Sequence, residues 1–353
     1  MLADLIATLL GRRRRPAPVA SSEPAPSAAA KPAKPPAVAT PAIPAAAPPG
    51  PPTLTDILRT LIDDLGGPEL EVERDEWLGL GAQIAQVAES MPPPPSYPRI
   101  ATQLLVLARD PNVDVNDLVG LVQRDAAIAS TLVRIANSPA FAPAVPIATL
   151  RGAIQSLGIS RVVELVVGSA GRSYYDVASA IELALFPSLW QGMFNDALAN
   201  AFSSGRLALD VPGSRGECAL FAGLLSDVGR PIALRILANR VRDGHPAPSD
   251  AIVAATLDEV APGIGARAIA HMKLPDELRA ACIPDPVRPT PDAQIARLIA
   301  SIGAIQRRSP RMWENAGDVR LHAEQLKVTP PVLRSLFAQR TQYVREAADL
   351  FGG

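Results

Sequence analysis

The residues that could carry chemistry in this chain gather around one run, Leu220 to Arg230, which reads LFAGLLSDVGR. Leu220, Phe221, Leu224, Leu225 and Val228 recur at helical spacing, so one face of the run is expected to be buried. Asp227 stands near its end, with Ser226 before it and Gly229, a plausible helix stop, two residues on. A carboxylate held there is a natural ligand for a divalent cation. Such a centre needs imidazole and carboxylate groups converging, commonly three or more. The chain offers three histidines, His245, His271 and His322. His245 lies in a proline-flanked loop, and His271 has no His, Asp or Glu three or four residues away. His322 has Glu324 beside it at i+2, the wrong side of a helix. No metal site and no cofactor is expected, and Asp227 reads as a structural carboxylate that caps neighbouring backbone donors.

Other chemistries find no better footing. Cys218 and Cys282 are far apart with no CxxC, which argues for a reducing compartment, and each reads as a core residue on an apolar helix. Ser226 has no nearby base to activate it. The chain contains no P-loop, no GxGxxG after a strand, no GxSxG and no HExxH. With a formal net charge of -1 there is no global basic field. Arg12 to Arg15 and scattered arginines such as Arg307, Arg308 and Arg311 are the basic features, and nucleic acid is not expected as a partner.

The elements that must position these residues are helical. Hydrophobic residues make up 48% of 353 positions and aromatics only 4%, a balance that favours helix over sheet, and no run alternates with a period of two. The expected fold class is all-α. Residues 1–15 carry an apolar stripe (Leu2, Leu5, Ile6, Leu9, Leu10) ahead of four arginines, a pattern for docking on an anionic membrane surface or a partner groove. Residues 16–53 are rich in Pro and Ala and nearly uncharged, so they read as a disordered spacer that reaches on the order of 100 Å when extended at about 3.1 Å per residue. Residues 54–91 form a helical, acidic lead-in, with Leu54 to Leu65 stopped by Gly66 and Gly67, and an acidic patch at Glu69, Glu71, Glu73, Asp75 and Glu76. A helical domain is expected at 92–290, then C-terminal helices at 291–353. No stretch reaches the roughly 18 apolar residues of a membrane span, and the order of charges at the N-terminus is not that of a secretory signal, so a cytoplasmic protein is expected.

Within the body, helices are expected at Ile100–Ala108, Val115–Gln123 (Asn116 or Asp117 near its start), Asp125–Ala136, Thr149–Leu157 and Ser160–Val167, with Ser160 an N-cap. Further ones are expected at Met193–Leu209, Pro231–Val241, Ala251–Val260, Gly263–His271, Pro275–Cys282, Ala293–Ile305 and Pro331–Leu350. Asn137 and Ser138 precede Pro139, so Asn137 reads as a structural helix terminator that tolerates the left-handed conformation.

Four segments carry a resemblance. They are RDAAIASTLVRIANSPAF (Arg124 to Phe141), LRGAIQSLGISRVVEL (Leu150 to Leu165), ECALFAGLLSDVGRPIAL (Glu217 to Leu234) and IGARAIAHMKLPDELRAAC (Ile264 to Cys282). In this order they resemble the HDOD domain, a helical relative of the HD phosphohydrolases found in bacterial signalling proteins. The resemblance implies an HD-like helical bundle from Pro92 to roughly Pro286. It also implies where metal-ligand histidines would stand in members that keep them. Those places hold Ser226, Gln191 or Gly192 after Trp190, one of Val260, Ala261 and Pro262, and the stretch Ile283 to Asp285. Of that set only Asp227 is kept. The resemblance therefore implies a non-catalytic regulatory module that recognises a signalling protein or a small regulatory ligand. The alternative is a residual metal-dependent phosphohydrolase acting on nucleotides or cyclic dinucleotides.

Overall fold

A computed structural model describes residues 52–68, 74–92, 94–110, 112–138, 141, 143–176 and 180–351. The N-terminal segment 1–15, nearly all of the spacer, and Glu69, Glu71 and Glu73 of the acidic patch lie outside the described residues. The described residues contain helices and connecting turns and no strand. In chain order the helices are α1 (Leu54–Asp64), α2 (Arg74–Ser90), α3 (Arg99–Leu107), α4 (Val115–Val122), α5 (Ala126–Ala136), α6 (Leu150–Leu157), α7 (Ile159–Tyr175), α8 (Ala180–Leu185) and α9 (Pro187–Trp190). Then come α10 (Met193–Ala208), α11 (Gly216–Leu225), α12 (Gly229–Arg242), α13 (Asp250–His271), α14 (Asp276–Cys282), α15 (Pro291–Gln306), α16 (Met312–Gln325) and α17 (Pro330–Phe351).

Short polar residues set several of these starts. Thr53 and Asp56 form a reciprocal capping box at α1, and Asp114 with Asp117 does the same at α4. The cap of α4 is therefore Asp114, just ahead of Asn116 and Asp117. Asp125 caps α5, Thr149 caps α6 and Thr290 caps α15. Gly66 and Gly67, both at positive φ, close α1 as expected.

Four sequence-based expectations are corrected. Ser160 is not a cap: Gly158 at φ +79° makes the corner, α7 begins at Ile159, and α6 and α7 are bent by 112°. Asn137 ends α5 at φ -95°, ψ 1°, not in the left-handed region. The helices expected at Ala251–Val260 and Gly263–His271 are one helix, α13, with Pro262 inside it. Gly229 does not stop a helix but opens α12. A Cβ at 229 would lie 2.0 Å from the Ala261 carbonyl oxygen, so this glycine lets α12 cross α13 in close contact. Helices α8, α9 and α16 are additional to those expected.

Helix α11 is the centre of the body. Residues 218–225 are all buried, and the helix packs against α10, α14, α15 and α7. It is apolar on every side, as a helix enclosed by others must be. A second feature places the C-terminal helices. Ile57, Leu58 and Ile62 of α1 share one buried cluster with Ile295, Leu298, Ile302, Val319, Leu333 and Phe337 from α15, α16 and α17. The first described helix and the last three thus cover the same flank of the core.

Candidate functional site

Asp227 sits in the short turn between α11 and α12, where a fully buried helix ends and the chain must reverse. Ser226 is occupied locally: its Oγ donates to the Gly223 carbonyl at 2.7 Å and accepts from Asn200 Nδ2 at 3.2 Å. Among the described residues Asp227 accepts from side chains rather than capping backbone donors, which corrects the expectation. Its Oδ2 accepts from Asn200 Nδ2 at 3.2 Å and from Arg307 Nη1 at 3.0 Å. The same Arg307 nitrogen lies 3.9 Å from Asp196 Oδ2, and Arg307 Nη2 lies 3.8 Å from Asp258 Oδ1. One guanidinium therefore stands among three carboxylates from α10, the α11–α12 turn and α13.

Two more arginines complete the network. Arg230 donates to Asp258, which also accepts from Ser309 Oγ. Arg340 of α17 is 1% exposed and donates to Asn200 Oδ1 at 2.9 Å, Gln306 Oε1 at 2.7 Å and Asp196 Oδ1 at 2.8 Å. Its guanidinium packs onto Gly303, where a Cβ would stand 2.5 Å from Nη2. Burial works to raise the Asp227 pKa, but Arg307, Arg230 and Arg340 overrule it and hold the carboxyl below its ordinary value. Burial likewise opposes the charge on Arg307, and Asp227, Asp258 and Asp196 together push its pKa up instead. Burial prevails at Arg340, whose pKa is lowered despite Asp196.

The donor set does not fit a divalent metal. Among the described residues no group of three or more His, Cys, Asp or Glu could hold one. The carboxylates of Asp227, Asp196 and Asp258 converge on a guanidinium instead, at 3.0, 3.9 and 3.8 Å from its nitrogens. Gly192, at φ +85°, begins α10, and Gln191 lines a cavity of about 540 Å³ that also reaches Asp227. Ala261 sits mid-helix against Gly229. Asp285 spends Oδ1 on the backbone N–H groups of Val287 and Arg288. His245 is in an exposed loop, and His271 Nδ1 is 2.8 Å from the Arg267 carbonyl. Cys218 lies 3.0 Å from Arg109 Nη2, with its thiol pushed up to about 11 chiefly by burial, and Cys282 is raised by burial too. Neither is poised as a nucleophile.

His322 departs from the expectation drawn from Glu324. Its face of α16 is shared with Asp318, four residues earlier, and both line a second cavity of about 370 Å³ on the α13–α16 side of Asp227. Arg307, Arg308 and Arg311 are internally engaged. Arg308 Nε donates to the Gly67 carbonyl at 3.0 Å, and Arg311 pairs with Glu259 at 2.7 Å and with Glu314. Asn137 is a fastening: Nδ2 donates to the Val133 and Ile147 carbonyls, and Oδ1 accepts from Ile147 N, each at 2.8 Å. Ser138 contributes a backbone N–H to the Ile135 carbonyl, and its buried Oγ has no partner among the described residues.

The profile of the HDOD domain matches residues 95–282. No curated protein matches the chain. An HDOD domain protein of unknown function from Geobacter sulfurreducens superimposes with a TM-score of 0.52 at 16% identity, over 78% of this chain and 99% of the other. A protein from Shewanella amazonensis SB2B, provisionally called a metal-dependent phosphohydrolase, gives 0.51 at 14% identity, over 77% and 99%. At such identities the likeness is one of fold.

Proposed function

The chain belongs to the HDOD domain family, and from that premise we propose that it is a non-catalytic regulatory module of a signalling pathway, acting by binding a protein partner or a small ligand. One observation carries the reading. The carboxylate kept at the turn after α11 is engaged by the Arg307 guanidinium at 3.0 Å, in a network with Arg230 and Arg340. A carboxylate engaged in this way is not free to ligate an ion or take a proton from water, and Ser226 is a poor neutral ligand. Residues 1–15, with their apolar stripe and four arginines, serve as the docking segment for a partner or an anionic membrane surface.

Elemental analysis of protein purified without chelator, paired with turnover assays on nucleotides and cyclic dinucleotides in added Mn2+, tests the proposal. The expected result is substoichiometric metal and no turnover above buffer. Stoichiometric metal, or turnover abolished by Asp227→Ala and retained in a surface control, would restore the phosphohydrolase reading.

A further inference from the structure

The cavity of about 370 Å³ between α13, α15 and α16 holds polar groups that the charge network leaves unused. Three acids on its wall are consumed: Asp227 by Arg307, Asp258 by Arg230, and Glu259 by Arg311. Arg297 and Asp318 also line it, both exposed, and neither makes a hydrogen bond or ion pair among the described residues. They share this lining with His322, so two unpaired charges of opposite sign border the same cavity. Deeper in, Asn315 Nδ2 is buried with no partner among the described residues. Below these groups the lining turns apolar: Leu225, Leu257, Ile269 and Ala281 are at most 3% exposed. Positions 293, 296, 300 and 304 of α15, at helical spacing, are all alanine, so that row of the helix presents only methyl groups to the space.

Such a lining asks for three things at once: an anion for the guanidinium and the buried amide, a cation for the lone carboxylate, and an apolar body above the alanine face. A plain organic acid would leave Asp318 unpaired beside its own negative charge. A plain amine would offer Arg297 no counter-charge and leave the buried Asn315 amide without an acceptor, and an unsatisfied buried donor costs about 1–3 kcal/mol. The volume is at the low end of small-ligand sites, which run from roughly 300 to 1,000 Å³. We infer that this cavity binds a zwitterionic α-amino acid with an apolar side chain. Its carboxylate meets Arg297 and Asn315, its ammonium meets Asp318, and its side chain rests on the apolar floor. Arg297, Asn315 and Asp318 all lie beyond residue 282, so recognition comes from helices outside the HDOD-matched segment. The inference rests on the binding-module reading, since it gives that module its ligand.

Isothermal titration calorimetry on the full chain tests it, with L-leucine, L-methionine and L-phenylalanine as probes. For whichever binds, the matching acid without the ammonium and the matching amine without the carboxylate are titrated too. At least one amino acid is expected to bind saturably, and both fragments to bind at least about tenfold more weakly, a difference of about 1.4 kcal/mol. Arg297→Gln and Asp318→Asn, both on exposed side chains, are each expected to weaken binding by at least about tenfold while leaving the unliganded melting temperature unchanged. No saturable binding of any probe, an acid fragment as tight as its amino acid, or affinity indifferent to both substitutions would overturn the inference. Metal content and turnover measured on the same preparation separate the two readings. Turnover with metal defeats the non-catalytic module, whereas inert protein that binds none of the probes defeats only the amino-acid site.

Discussion

Arg307→Ala removes the cation that three carboxylates share, and its effect can be worked from the geometry. Arg307 is 19% exposed at the side chain, against 13% for Asp227, 23% for Asp196 and 2% for Asp258. Asp258 keeps Arg230 and Ser309, and Asp196 keeps Arg340. The uncompensated group is Asp227, left with Asn200 alone as a hydrogen-bond donor. Removing one partner of a buried pair costs about 3–5 kcal/mol, and the residual solvent here puts the expected loss near the lower figure, about 3 kcal/mol. Arg307→Lys keeps the charge without the fork and recovers part of it.

A pH signature separates this ion pair from mere packing. In the native protein the Asp227 pKa is depressed, so its contribution is present above the unfolded carboxylate value of about 3.9 and is lost as pH falls through the lower folded value. Without Arg307, burial is opposed only by Arg230 and Arg340, so the Asp227 pKa rises above its native value. The variant then binds a proton more readily than the native protein does, and acid relieves part of the difference. The stability gap between the two proteins is widest near neutrality, at about pH 7, and narrows as pH falls toward about 4, near the unfolded carboxylate value. Urea denaturation of both proteins at the two pH values measures it. A gap below about 1 kcal/mol, the range of exposed pairs, would refute the reasoning, and so would a gap that does not narrow on acidification.

Other substitutions probe other parts of the fold. Asn137→Ala removes three side-chain hydrogen bonds, two of which tie Ile147 to the end of α5, and thermal melts are expected to record a loss of about 1–2 kcal/mol. Gly229→Ala puts a Cβ 2.0 Å from the Ala261 carbonyl oxygen, so α12 and α13 must separate; urea denaturation is expected to show about 3 kcal/mol lost. Removing residues 1–15 is expected to leave the melting curve intact and to reduce sedimentation with anionic vesicles or recovery of a partner. Identical recoveries would reduce the segment to a tail.

Most helices were legible because their evidence is local. An apolar period, a short polar cap and a glycine at positive φ are read within a few residues, as at α1 with Thr53, Asp56, Gly66 and Gly67. Pro262 misled for the same reason: proline removes one helical hydrogen bond, but packing against α12 and α2 holds α13 together across it. Gly229 read as a stop because the sequence does not reveal that a carbonyl of another helix lies against it. The site was legible only as Ser226 and Asp227. Arg307 is 80 residues from Asp227, and Arg340 is 140 from Asn200 and 144 from Asp196. No periodicity relates residues so far apart. The available hint was compositional and confined to α10, where Asp196 and Asn200 stand among apolar residues; Arg340 is one of several polar residues on α17 and gave none.

Those long-range pairs also bear on what the C-terminal helices are for. Apolar burial already accounts for their attachment, since α15, α16 and α17 share a core cluster with α1 and α10. Buried ion pairs add little net stability, because desolvation offsets most of their attraction. What they do set is geometry: a misplaced helix would leave Asp196 or Asp227 charged and unpaired. Arg307 and Arg340 therefore hold the C-terminal helices in one seating against the turn after α11. The same seating brings Arg297, Asn315 and Asp318 over the α13 face that completes the 370 Å³ cavity. The acidic turn, once fixed by arginines, thereby becomes part of the frame for a site that the residues after 290 build.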